Sequence, residues 1–105
     1  MDQDKLREMQ IIDQNLHNIM LQKQAFQMEA QETKTALKEI TESKNDVYKI
    51  IGNLMLKTEK EKIQKELEDK DKLLELRITS FEKQEFSLAK QLEKIREELL
   101  KSKKK

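Results

Sequence analysis

Apolar residues recur along the first part of the chain at alternating steps of three and four. The series runs Met9, Ile12, Leu16, Ile19, Phe26, Ala30, Leu37 and Ile40, with Lys23 and Thr33 filling the same rows. Such a spacing averages 3.5 residues and puts all of these side chains on one stripe of a helix, the seam of a coiled coil. A second series repeats it through Leu67, Asp71, Leu74, Ile78, Phe81, Glu85, Leu88, Leu92, Ile95 and Leu99. Both outlast the three to four heptads that mark a sustained repeat. Two long helices are predicted, over about residues 3–44 and 59–102.

Between them the residue types change. Val47-Tyr48-Lys49-Ile50-Ile51 and Leu54-Met55-Leu56-Lys57-Thr58 are rich in β-branched, aromatic and other apolar side chains, and they flank the chain's one glycine in Gly52-Asn53. Gly-Asn between two such runs is a two-residue hairpin signal, because glycine takes the positive φ that primed turns require. The expected pairing sets Ile51 against Leu54, Ile50 against Met55, Lys49 against Leu56 and Tyr48 against Lys57. Thr58 and Glu61 have capping-box spacing and would start the second helix; Ser43, Lys44 and Asn45 would end the first.

The fold class is therefore mainly α: a long antiparallel two-helix coiled coil joined by one β-hairpin, in a single domain over 1–105. Folding back at the hairpin brings the two seams together, with Leu37 near Leu67, Ala30 near Leu74 and Leu16 near Leu88. Lys23 and Glu85 then come within about one helical turn of each other, a polar contact of the kind that fixes register.

On the hairpin, Val47, Ile51, Leu54 and Leu56 share one face, and Tyr48, Ile50 and Met55 share the other. A lone two-stranded hairpin is marginal in water, and its free edges invite further strands. Val47, Tyr48, Ile50, Ile51, Gly52, Asn53, Leu54, Met55 and Leu56 thus form a candidate oligomerisation site, its strands joining those of other subunits in a larger sheet or barrel. Folding back against the chain's own coiled coil is the other reading, but it would hide one face, not both.

At the opposite end, Leu6, Met9, Ile11 and Ile12 meet Ile95, Leu99 and Leu100. Ile11 and Leu100 stand beside the seam, where two helices alone do not cover them. This is either ordinary partial burial near fraying ends or an adaptable apolar surface, for which methionine is suited. A grazing contact there yields less than the roughly 1.5–3 kcal/mol of full burial, so useful affinity needs several such ends acting together.

Composition narrows the function classes. Charged residues make up 41% of the chain and apolar ones 35%, with no proline, cysteine or tryptophan. Ala, Glu, Lys, Leu and Arg account for 55 of 105 residues, as in long helices and coiled coils. No disulfide or thiol chemistry is available. With 22 positive and 21 negative side chains, the chain lacks the concentrated basic charge on which phosphate binding relies, so nucleic acid is not expected as partner. No apolar run approaches the ~18 residues of a membrane span, and Met1-Asp2-Gln3-Asp4-Lys5 has no signal-peptide pattern. A cytoplasmic protein is expected. His17 lies off the seam with no second histidine nearby, which argues against a metal site. No phosphate loop, carboxylate dyad or nucleophile constellation is evident, so neither catalysis nor a cofactor is expected. Lys101-Ser102-Lys103-Lys104-Lys105 suits the negative end of a helix dipole.

Val47-Tyr48-Lys49, Gly52-Asn53-Leu54 and Leu56-Lys57, set between heptad helices, resemble the β-type subunits of archaeal prefoldin. Leu21 to Gln24 and Leu74 to Ile78 are similar to that family as well. The resemblance implies a hexamer of two α-type and four β-type subunits, whose hairpins join in a double β-barrel from which six coiled coils hang. It further implies an ATP-independent chaperone that holds non-native proteins at the coiled-coil tips, here Leu6, Met9, Ile11, Ile12, Ile95, Leu99 and Leu100, and passes them to a group II chaperonin. The stretch between Asn45 and Thr58 has room for one hairpin, where α-type subunits carry two. The alternative is a non-catalytic scaffold or adaptor forming a parallel dimer, with the segment around Gly52 helical or disordered.

Overall fold

The computed structural model describes residues 2–103. Helix α1 spans Asp2–Glu42, strand β1 Val47–Ile51, strand β2 Leu54–Thr58 and helix α2 Lys60–Lys103. Lys104 and Lys105 of the lysine tail lie outside the described residues. Two compact units divide the chain. The terminal unit is Met1–Ala25 with Ile78–Lys105, and the hairpin unit is Phe26–Arg77.

Both heptad series face inward. Every seam residue from Met9 to Ile40 and from Leu67 to Leu99 is buried or half-buried. Ile12, Ala30, Leu74 and Ile78 are the most enclosed apolar side chains, and Thr33 joins them as a buried polar one. A seam this narrow is what a chain with so few apolar residues can fill. Thr33 donates its hydroxyl to the Glu29 carbonyl one turn back, at 2.8 Å, so its polar atom is satisfied inside the helix.

Within the terminal unit the helices run antiparallel, tied by Lys23 Nζ to Glu85 Oε1 at 2.7 Å and Lys5 Nζ to Glu98 Oε2 at 3.4 Å. In the hairpin unit, Lys34 reaches both Glu75 (2.5 Å) and Asp71 (3.5 Å), and Lys70 reaches Glu29 at 3.2 Å. The Arg77 guanidinium lies 5.7 Å from the centre of the Phe26 ring. These intrachain pairs, together with paired strands over 47–58, are the folded-back arrangement rather than the extended parallel one.

β1 and β2 pair antiparallel with the expected partners, from Ile51↔Leu54 to Tyr48↔Lys57, and the ladder extends to Val47↔Thr58. Gly52 carries a φ of +59°, while no other described residue has positive φ. That is the pattern of a type II′ turn, which puts glycine first of the two central residues.

The start of α2 differs from the capping-box expectation. Thr58 closes the ladder opposite Val47, and its hydroxyl donates to the Leu56 carbonyl at 3.2 Å. Glu59 precedes the helix instead, its carbonyl accepting from the Ile63 amide at 3.3 Å. Strand pairing outweighed the cap because it engages the whole residue. α1 ends as expected near Ser43, whose amide donates to Ile40 and whose hydroxyl accepts from the Asn45 amide. A lysine from α2 completes that end. Lys60 Nζ donates to the carbonyls of Ser43 (2.9 Å) and Thr41 (3.3 Å), placing a cation where the α1 dipole is negative.

Candidate functional site

The hairpin offers the first candidate surface. Alternation along paired strands sends Lys49, Ile51, Leu54 and Leu56 to one face and Tyr48, Ile50, Met55 and Lys57 to the other. Tyr48, Ile50, Ile51, Leu54, Met55 and Leu56 are all between 46% and 69% exposed. Val47 is half-buried, and Gly52 and Asn53 are exposed in the turn. The reading in which the hairpin folds back on its own helices is therefore overturned, since neither face is covered. Polar contacts fix the hairpin's base: Lys49 Nζ lies 3.3 Å from Glu66 Oε2 on α2, and Lys57 Nζ lies 3.5 Å from Asp46 Oδ2. The base is held and the faces are bare.

The second candidate lies in the terminal unit. Ile11, Ile12, Leu88 and Ile95 line an open cleft of about 490 Å³ between the helices, rimmed by Glu8, Lys94 and Glu98. Of the seven side chains expected there, Met9, Ile12, Ile95 and Leu99 turn into the seam, Ile12 most deeply. Leu6, Ile11 and Leu100 remain at least half exposed. Sequence spacing separates the two sets, since the first four sit on the heptad rows and the last three do not.

Leu88, a seam residue by its spacing, also helps line this cleft. Its row is a seam row, so no sequence signal set it apart. Phe86, 63% exposed with the Lys90 ammonium 4.5 Å from its ring centre, is a further bare apolar side chain of the same unit.

In the hairpin unit, the Lys34 ammonium is held above its usual pKa by its hydrogen bond to Glu75, with a further contribution from the Asp71 charge. This cluster belongs to the seam's edge, where Asp71 is half-buried and Lys34 and Glu75 are exposed. Among the described residues, no group of three or more His, Cys, Asp or Glu side chains is placed to hold a metal ion. No helix among them is long and apolar enough to cross a membrane.

A family model described as "Prefoldin subunit" matches residues 3–105. Among curated proteins, prefoldin subunit beta of Sulfurisphaera tokodaii is 36% identical over 99 residues, covering 92% of this chain and 79% of that protein. Prefoldin subunit beta of Saccharolobus islandicus is 39% identical over 93 residues, covering 87% and 74%. Among solved structures, the crystal structure of the prefoldin beta subunit from Thermococcus strain KS-1 matches with a TM-score of 0.90 at 35% identity, covering 96% of this chain and 90% of that one.

Proposed function

Since the chain belongs to the prefoldin subunit family, we propose that it is a β-type subunit of an ATP-independent holdase. It assembles through its hairpin and binds non-native proteins at the terminal end of its helices. Tyr48, Ile50, Ile51, Leu54, Met55 and Leu56, bare on both faces of one hairpin, carry this reading. Six such side chains in water favour burial at about 25 cal/mol per Å² of apolar surface removed, and the open strand edges offer a template for pairing with a further strand. Val47, Gly52 and Asn53 complete the assembly segment by closing the ladder and the turn.

The complex is a hexamer of two α-type and four β-type subunits, acting in the cytoplasm and without catalysis. Clients dock on Leu6, Ile11 and Leu100, on the cleft lined by Ile12 and Ile95, and on the half-buried Met9 and Leu99, each tip contributing a weak contact that several tips make useful. Release is to a group II chaperonin. Thermal or chemical aggregation of an unfolded protein, followed by turbidity with the chain mixed with an α-type prefoldin subunit, tests the holdase role. Removing residues 1–12 and 95–105 is expected to weaken suppression while the complex keeps its mass. Undiminished suppression would contradict the role given to the tips.

A further inference from the structure

The outward side of α1 in the terminal unit has an unusual makeup. In the rows turned away from the seam stand Gln10, Gln14, Asn18, Leu21 and Gln24, all exposed, with His17 and Ala25 beside them and the exposed Ile11 at the end nearer the cleft. No Asp, Glu, Lys or Arg occupies those rows from Gln10 to Ala25, a length of about 22 Å at 1.5 Å per residue. The outward rows of α2 in the same unit carry Lys83, Lys90, Glu93, Lys94, Glu97 and Lys101 interspersed with uncharged Thr79, Ser80, Phe86, Ser87 and Leu100, all exposed. One helix of the pair has the charged face expected of a solvated helix; its partner does not.

Charge depletion with added methionine and other apolar side chains marks the centre of a contact surface rather than a solvated one. Here Ile11 and Leu21 are half exposed, and Met20 stands at the stripe's edge, 39% exposed. The stripe also runs directly into the cleft, because Ile11 belongs to both.

We infer that this uncharged stripe is a second docking surface for non-native polypeptide, extending client contact from the tip along α1. The inference rests on the holdase reading above. Free backbone amides select the occupant. A folded protein keeps its backbone N–H and C=O groups paired within its own structure, and its exposed charges would lose water against amides and apolar side chains without gaining a partner. An unfolded segment presents neutral backbone N–H and C=O groups at every residue. Glutamine and asparagine amides both donate and accept, so they pair with that backbone whatever its sequence, while Ile11, Met20 and Leu21 take its apolar side chains.

The test uses the full chain in its assembled complex, with guanidinium-unfolded luciferase as probe. A photo-crosslinker at Leu21 is expected to capture luciferase, and one at Lys90 is not. The near-isosteric set Gln14→Glu, Asn18→Asp and Gln24→Glu, all at exposed positions, is expected to weaken capture about tenfold, the scale of one uncompensated charge. The matched set Thr79→Glu, Ser80→Glu and Ser87→Glu on α2 is expected to leave capture unchanged. Equal effects of the two sets, or crosslinks from Leu21 to a second copy of the chain, overturn the stripe while leaving the holdase reading intact. Failure of the unsubstituted complex to capture luciferase overturns both.

Discussion

Lys23 Nζ lies 2.7 Å from Glu85 Oε1, joining side chains 62 residues apart, and the two are only 20% and 25% exposed. Both occupy seam rows that apolar residues fill elsewhere. Removing one partner strands the other in a partly desolvated place, which costs about 1–3 kcal/mol. Lys23→Met and Glu85→Met are each expected to lower the urea midpoint accordingly. The double variant is expected to recover most or all of the loss, since paired apolar replacements of shielded ion pairs are often neutral or stabilising. Equilibrium unfolding of the four proteins as a double-mutant cycle measures this.

Leu74 and Leu76 are two residues apart on α2 yet 4% and 69% exposed. Leu74→Ala is expected to cost about 2–5 kcal/mol, as for other buried leucines that leave a cavity. Leu76→Ala is expected to stay within about 0.5 kcal/mol of the parent. Thermal melts of the two variants check the seam assignment directly, and similar losses in both would contradict it.

Gly52 has φ +59° and open space around the place where a Cβ would stand. Substitution there tests backbone conformation alone, with no steric neighbour to confuse it. Gly52→Ala is expected to cost about 1–2 kcal/mol, the penalty for a left-handed L-residue. Gly52→Asn is expected to cost less, because asparagine tolerates that region. Denaturant midpoints rank the three.

Lys34 provides a pH test. Its folded-state pKa is raised, first by the hydrogen bond to Glu75 and then by Asp71. A raised lysine pKa means that the stabilisation is complete below the ordinary value of 10.5 and is lost as pH rises through the folded-state value. Stability from this cluster is therefore expected to be flat across neutral pH and to fall in alkali. Glu75→Gln is expected to lower the Lys34 pKa more than Asp71→Asn does, as followed by NMR of the Lys34 Nζ resonance.

Much of the fold was legible in the sequence because each feature rests on local spacing. Heptad steps are read residue by residue, and they placed Met9 to Ile40 and Leu67 to Leu99 inward without exception. Gly52-Asn53 set both turn and register, since a two-residue loop leaves the strands one way to align. Contacts along the seam between distant segments were legible too, since folding the two series together sets Lys23 beside Glu85; contacts made off the seam rows were not. Lys60 reads as one more surface lysine, yet it donates to the carbonyls of Thr41 and Ser43, because the hairpin returns the chain to the end of α1. Thr58 carried two signals, a helix cap and a strand residue, and only the completed ladder shows which one prevails. Lys34 sits beside the seam, and nothing in its neighbourhood announces the two carboxylates it reaches. The candidate surfaces were legible as apolar residues off the seam, at Leu6, Ile11 and Leu100, and as the two-faced pattern of the hairpin. Their bareness needed the structure.

The mass of the complex tests the central claim most directly. Ile50 and Met55 pair with each other on one hairpin face and are 69% and 66% exposed, so the chain's own fold does not depend on covering them. Light scattering of the chain mixed with an α-type subunit is expected to give a hexamer-sized species. The double variant Ile50→Asp, Met55→Asp is expected to shed that complex while its helical circular dichroism stays unchanged. A single-chain mass for the unsubstituted protein, or an undisturbed complex in the variant, would contradict assembly through the hairpin.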